Sequence, residues 1–158
     1  MIDPDVRAAR SDDVATLCDL EVEARAAVAS VRGGARWLDE HPLIGAGWHR
    51  AIDEREVVVA ELLGSVVAGY LVLDVDDGVA TVDQVYVSAP ARELGFGDAL
   101  LEAATHRARA RGAHLIEGYA LPGDRETKNL YERAGITARL ITVSRPLSDP
   151  PSGRDASR

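Results

Sequence analysis

Arg92, Gly95 and Gly97 form the run Arg-x-x-Gly-x-Gly, directly after the strand-like stretch ATVDQVYV and directly before a helical pattern. The chemistry that this spacing suits is the capture of an anion. A helix N-terminus leaves backbone N–H groups without intrahelical partners, and the helix dipole adds positive potential there. Glycines before the helix let the backbone curl and remove the Cβ atoms that would hold a phosphate away. Arg92 adds a charged donor. An ordinary strand-to-helix turn would use the same residues, so the loop alone leaves both readings open.

Two other phosphate loops fail on the text. A Walker A loop needs Gly-Lys-Ser/Thr, and here Gly97 is followed by Asp98 and Ala99. A dinucleotide fingerprint needs a third small residue, where this chain has Leu100, and it should follow the first strand of a βαβ unit rather than a meander. His41, His49, His106 and His114 are scattered without metal-ligand spacing, so no metal is expected. No Gly-x-Ser-x-Gly elbow exists for a serine hydrolase.

The elements that must hold this loop follow from periodicity. VRAA, from Val6, reads as a short strand. Ser11 reads as an N-cap, with Asp12 and Asp13 in the first turn of a helix that carries Val14, Leu17, Cys18, Glu21 and Ala24 at helical spacing and stops at Gly33–Gly34. Pro42, Gly45 and Gly47 break the next stretch, which is expected to be a broken helical segment or a mobile loop flanked by Trp37 and Trp48. Three strands then run in meander order, EVVVAEL, VVAGYLVLDV and VATVDQVYV, with turns at Gly64 and at Asp77–Gly78. A helix from Asp98 to Arg111 closes at Gly112; HLIEGYAL is a strand; Asp124 caps a helix that runs through Arg133 to Gly135; and ARLITVSRPL is a final strand. This order predicts an α/β (α+β) domain over residues 1–147, a mixed central sheet with helices on it, and a Pro/Ser/Gly-rich disordered tail over 148–158.

With 158 residues the chain suits one domain. A formal net charge of −8 argues against nucleic acid or an anionic membrane as partner. The apolar runs are too short to span a bilayer, and no basic n-region leads into an apolar h-region, so no secretory signal is expected. The single cysteine, Cys18, forbids an intrachain disulfide and fits a reducing, cytoplasmic setting.

The phrase DQVYVSAPARELGFGDALLEAA and the order of elements resemble the GNAT superfamily of N-acetyltransferases. Its Gln/Arg-x-x-Gly-x-Gly/Ala signature after the fourth strand is matched by Arg92, Gly95 and Gly97. Its Leu-Tyr-Glu-x-x-Gly phrase after the fifth strand is matched by Leu130, Tyr131, Glu132 and Gly135. The resemblance spans roughly Val6 to Leu147. Departures are Pro90 in a displaced position, Asp124 and Thr127 in place of an Asn-x-x-Ala opening, Ile136 in place of an aromatic, and one C-terminal strand where the family has two.

This resemblance implies a single GNAT-like domain whose fourth and fifth strands splay apart, with helices on both faces. It implies acetyl-CoA as co-substrate. The pyrophosphate would meet the N–H groups of Glu93, Leu94, Gly95, Phe96, Gly97 and Asp98, beside Arg92. The pantetheine arm would lie along Val85, Tyr86 and Val87, as a substitute strand on the open side of the fourth. Asp83 would act as base for a protonated amine, sharing one face with Val85 and Val87, and Tyr131 would protonate the departing thiolate. The function implied is direct acetyl transfer to a primary amine of a small molecule or peptide in a ternary complex. The alternative is a non-catalytic module that binds acyl-CoA as a sensor. Monomer and homodimer are both left open.

Overall fold

Valine-rich apolar runs are what make the central sheet. The computed structural model describes residues 3–147; the expected tail, 148–158, lies outside the described residues. Strands β1 (Asp5–Ala8), β2 (Glu56–Leu62), β3 (Val66–Asp76), β4 (Val79–Val87) and β5 (Leu115–Gly118) stand in sequence order in one sheet. Every pairing is antiparallel except β4 with β5, which is parallel. The Asp77–Gly78 turn behaves as its residues predict, with both at positive φ, 46° and 76°.

Helices cover both faces. Val58, Ala60, Leu71 and Leu73 point to one side, where helix α4 (Phe96–Ala110) lays down Phe96, Leu100, Leu101, Ala104 and Ala108. Val57, Val59, Tyr70 and Val72 point to the other, against Leu17 and Leu20 of α1 (Val14–Ala29) and Trp48 and Ala51 of α3 (Trp48–Glu54). Strands buried on both faces read as near-continuous apolar runs rather than as alternation. Helix α4 ends at Gly112, φ 79°, whose N–H bonds Arg109 O at 3.0 Å. Helix α5 (Arg125–Arg133) is capped as expected, the Asp124 carboxylate accepting from Thr127 N–H at 3.0 Å.

Three local expectations change. Ser11 is not the cap of α1: residues 11–13 form a 3-10 turn, and the Asp13 carboxylate takes the Arg10 N–H at 2.7 Å and the Arg7 guanidinium at 2.8 and 2.9 Å. Arg7 also binds Glu61, at 2.8 Å from Nε, so this cation ties β1 to β2 and to the start of α1. Helix α1 stops at Ala29, and Gly33 and Gly34 begin the short helix α2 (Gly34–Glu40) instead of ending α1.

The segment broken by Pro42, Gly45 and Gly47 is organised by a side chain. Glu21 of α1 is wholly buried, and its carboxylate accepts from Ile44 N–H at 2.8 Å, Gly45 N–H at 3.0 Å and the Trp48 indole at 2.9 Å. Finally, ARLITVSRPL forms no strand: residues 137–147 are exposed, with Leu140 88% and Val143 88% accessible. A strand needs a ladder as well as β propensity.

Candidate active site

The site begins where two strands part. β4 and β5 pair from Val79↔Leu115 to Val82↔Gly118 and no further. Beyond that point β4 runs on to Val87 with β3 on one side and, among the described residues, no strand on the other. The backbone groups of residues 83–87 that face the missing neighbour are therefore free of ladder bonds. Such groups are costly to bury unpaired, so an extended ligand with amides fits there.

A β-bulge sits at the parting. Val72 pairs with Gln84 and Leu73 with Val82, which leaves Asp83 without a partner residue. One extra residue ends strict alternation. Val85 and Val87 pack against the α4 cluster, whereas the Asp83 carboxylate meets Arg55, at the end of α3. The expected shared face of Asp83, Val85 and Val87 is thus not formed. Arg55 Nη2 lies 2.7 Å from Asp83 Oδ2, and its Nε lies 2.7 Å from Asp74 Oδ1. Burial pulls the Arg55 guanidinium down, but the two carboxylates outweigh it and the net displacement is upward.

Asp83 lines a cleft that also receives Tyr131, Tyr119, Trp37, Tyr70 and Asp124. The two residues expected to react, Asp83 and Tyr131, are therefore brought to one cavity. Tyr131 is 6% exposed, and a Cβ on Gly118 would lie 2.4 Å from its hydroxyl. Gly118 therefore ends β5 and admits the phenol in the same step. Burial drives the Tyr131 proton affinity well above that of a free phenol, against the opposing pull of the Tyr119 backbone bond. The hydroxyl stays protonated at neutral pH and is a donor.

The tryptophans separate. Trp37 lines the cleft, stacked on His41 at 3.5 Å and tilted to Tyr119 at 5.0 Å. Trp48 is fully buried, edge-on to Tyr70 at 5.5 Å. Tyr70 donates to Gln84 at 2.7 Å, and Gln84 donates to Glu21 at 3.3 Å. Burial raises Tyr70 far above the free phenol value, with the charges of Glu21 and Asp83 adding to it.

The glycine loop leads out of β4. Glu93 and Gly95 both have positive φ, 63° and 84°, flanking Leu94. The first helical bond of α4, Ala99 N–H to Gly95 O at 3.0 Å, leaves the preceding N–H groups without intrahelical acceptors. A Cβ on Gly95 would meet nothing within 4 Å, so the surface above it is open. Phe96, 1% exposed, anchors the turn from below, and Gly97 meets Leu130 of α5, which a Cβ would approach to 3.0 Å. Asp98 is tied to Arg133 at 2.9 Å, so it offers the loop its backbone alone.

Arg92 is less free than a dedicated anion ligand. Its Nε donates to Val87 O at 3.2 Å, its Nη1 lies 3.3 Å from Glu126, and its guanidinium lies 5.7 Å from the Tyr86 ring centre. Tyr86 in turn reaches Glu23 at 3.3 Å, and Leu94 is 39% exposed at the loop's crest. Among the described residues no cluster of His, Cys, Asp or Glu could hold a metal, and no helix is long and apolar enough to cross a membrane.

Sequence reasoning missed Arg55, Gln84, Gly118 and Tyr119. Only Gly118 carried a signal, since a glycine inside a strand marks a bulge or a close approach. Glu21 also left one: a carboxylate on the apolar stripe of α1.

A mixed sheet that parts between its fourth and fifth strands, beside a glycine turn opening a helix, defines a class of fold, and comparison agrees. The acetyltransferase (GNAT) family model matches residues 16–136, and the chain belongs to that family. No curated protein matches the sequence. Among solved structures, a variant of the BH1408 protein of Bacillus halodurans shares the fold at TM-score 0.78 and 18% identity, over 91% of this chain and 99% of that one. The PaiA N-acetyltransferase of Thermoplasma acidophilum, in complex with coenzyme A, aligns at TM-score 0.70 and 16% identity, over 84% and 89%. The aminoglycoside N-acetyltransferase AAC(6')-Iy, in complex with CoA, aligns at TM-score 0.67 and 16% identity, over 92% and 96%.

Proposed function

We propose that this chain transfers an acetyl group from acetyl-CoA to a primary amine, directly, in a ternary complex. The observation that carries this reading is that Asp83 and Tyr131 line one cleft at the parting of β4 and β5, in a chain of the acetyltransferase (GNAT) family. The CoA complexes of the structural neighbours support the choice of thioester.

In this reading the diphosphate rests on the N–H groups of residues 93–98, and the pantetheine amides lie along residues 85–87. The amine nitrogen attacks the thioester carbonyl carbon; a C–N bond forms and the C–S bond breaks. The proton shed by the amine passes to Asp83, directly or through a water, and Tyr131 gives its proton to the departing sulfur. Asp83 keeps Oδ1 for this task, because Arg55 takes Oδ2. Cys18 takes no part: its Sγ lies 3.7 Å from Gly45 O, on the Glu21-anchored loop.

A second reading rests on one contact. The Arg55–Asp83 pair has the form of a structural ion pair, which suits a module that holds acyl-CoA without reacting it. CoA release followed with a thiol reagent across a panel of amines separates the two. Release accelerated by an amine supports the transferase; tight acetyl-CoA binding with no amine-dependent release supports the module.

A further inference from the structure

The cleft that holds Asp83 and Tyr131 also carries a charge that the transfer chemistry does not use. Of the described residues that line it, Arg25 is the one cation, set against the carboxylates of Asp83 and Asp124. Asp83 is already neutralised by Arg55 at 2.7 Å, and Asp124 spends an oxygen on Thr127 N–H at 3.0 Å. Arg25 is half-buried and bonds backbone carbonyls instead, Nη1 to His41 O at 2.7 Å and Nη2 to Leu38 O at 3.3 Å. No carboxylate pairs with it among the described residues. Its two bonds cap the end of α2 and leave the other N–H donors of the guanidinium unspent. Burial, Glu21 and Asp83 raise the Tyr70 hydroxyl while Arg25 lowers it, so the fields of Asp83 and Arg25 meet on the cleft wall. A half-buried cation without a counter-ion carries an uncompensated desolvation cost.

We infer that Arg25 receives a carboxylate of the acceptor, and that this acceptor is a free amino acid with a compact apolar side chain. The substrate class rests on the acetyl-transfer reading above. A guanidinium takes a carboxylate through two parallel N–H bonds, and Arg25 has donors to spare. The amine of such a molecule goes to Asp83 and its carboxylate to Arg25, one charge for each. A diamine fits less well, because its second ammonium would enter beside an unneutralised guanidinium. A peptide N-terminus also fits less well, because an amide stands where the carboxylate would be. Size points the same way. The cleft encloses about 110 Å³, below the roughly 300 Å³ at which pockets for drug-sized ligands begin. One small molecule fits, and Val28, Trp37, Leu38 and Leu121 give its side chain an apolar wall.

The test uses the full chain, acetyl-CoA and three amines that share one side chain: L-leucine, L-leucinamide and isoamylamine, the last two lacking the carboxylate. CoA release is expected to give a kcat/KM for L-leucine about tenfold or more above the other two. Intrinsic reactivity runs the other way for L-leucinamide, whose amine loses its proton more readily without a neighbouring carboxylate. Arg25→Gln should bring the three amines within about twofold of one another. Arg25→Lys, which keeps the charge but not the fork, should recover part of the preference. A residue that only capped α2 would slow all three by one factor, so an unchanged ratio in Arg25→Gln overturns the inference. Equal release with the three amines in the unaltered chain also overturns it, and leaves acetyl transfer standing. If no amine accelerates release, the transfer reading fails, and titration calorimetry with L-leucine and L-leucinamide decides the inference by itself. Saturable heat for L-leucine alone, lost in Arg25→Gln, supports it; equal or absent heat with the unaltered chain overturns it.

Discussion

Arg55 Nη2 lies 2.7 Å from Asp83 Oδ2 while the same guanidinium grips Asp74, so the carboxylate proposed as the base is clamped on one oxygen. In the proposed reading this clamp orients the carboxylate and leaves Oδ1 for the amine proton. Asp83→Asn is expected to lower kcat by about 100-fold or more, with acetyl-CoA affinity held. Arg55→Met should lower kcat by less, and the double variant should fall no further than Asp83→Asn alone, because Arg55 acts through Asp83. Steady-state CoA release measures all three. Additive losses in kcat would separate Arg55 from the reaction.

Tyr131 offers a hydroxyl whose ionisation burial pushes well above the ordinary phenol range. An acid is lost when it deprotonates, and raising that event moves the loss to higher pH. The wild-type rate is therefore expected to show no tyrosine-dependent decline below about pH 10. Tyr131→Phe should lower kcat by roughly 10- to 100-fold across the whole profile. A pH–rate series on both proteins checks this, and an unchanged kcat in Tyr131→Phe removes the acid role.

Gly118 gives the phenol its room. Gly118→Ala places a methyl 2.4 Å from the Tyr131 hydroxyl, so the ring or the strand end must move. The expected costs are about 1–3 kcal/mol of stability and a fall in kcat comparable to that of Tyr131→Phe. Thermal melts and kinetics on the single variant suffice. Since a strand-end glycine was the one textual hint of this contact, it also marks how far the sequence could be read.

The glycine turn, the meander and α5 were legible because each rests on local chemistry: Gly95 at positive φ, the Asp77–Gly78 turn, the Asp124 cap. The rest depends on partners remote in sequence. The α2–α3 region looked broken because its order comes from Glu21, more than twenty residues away. The bulge at Asp83 was hidden because one added residue reverses a period-two pattern without altering composition. ARLITVSRPL read as a strand on propensity alone, and its exposure shows that the ladder partner decides.

Glu21 holds that loop with a buried charge. Glu21→Leu strips acceptors from Ile44, Gly45, the Trp48 indole and Gln84 together. The expected loss is about 3 kcal/mol or more, accompanied by a change in Trp48 fluorescence. Denaturant melts read the first and emission spectra the second.

Asp13 sets part of the acid stability. Its bond to Arg7, stronger than the opposing effect of burial, holds its carboxyl below the ordinary aspartate range. A carboxylate depressed in the folded state stabilises above its unfolded value and loses that contribution as pH falls through the folded one. Stability from this pair is thus full at neutral pH and fades below about pH 4. Asp13→Asn should cost roughly 1.5–3 kcal/mol at pH 7, with the difference from wild type shrinking toward pH 2 in equilibrium melts.

Everything proposed for the cleft depends on the turn after β4 gripping a nucleotide thioester. Isothermal titration with acetyl-CoA, on the full chain and on Gly95→Val, tests this most directly. The account predicts saturable one-to-one binding that Gly95→Val weakens at least tenfold while the fold persists by circular dichroism. Absence of saturable heat with the unaltered chain, or equal affinity in the two proteins, contradicts it.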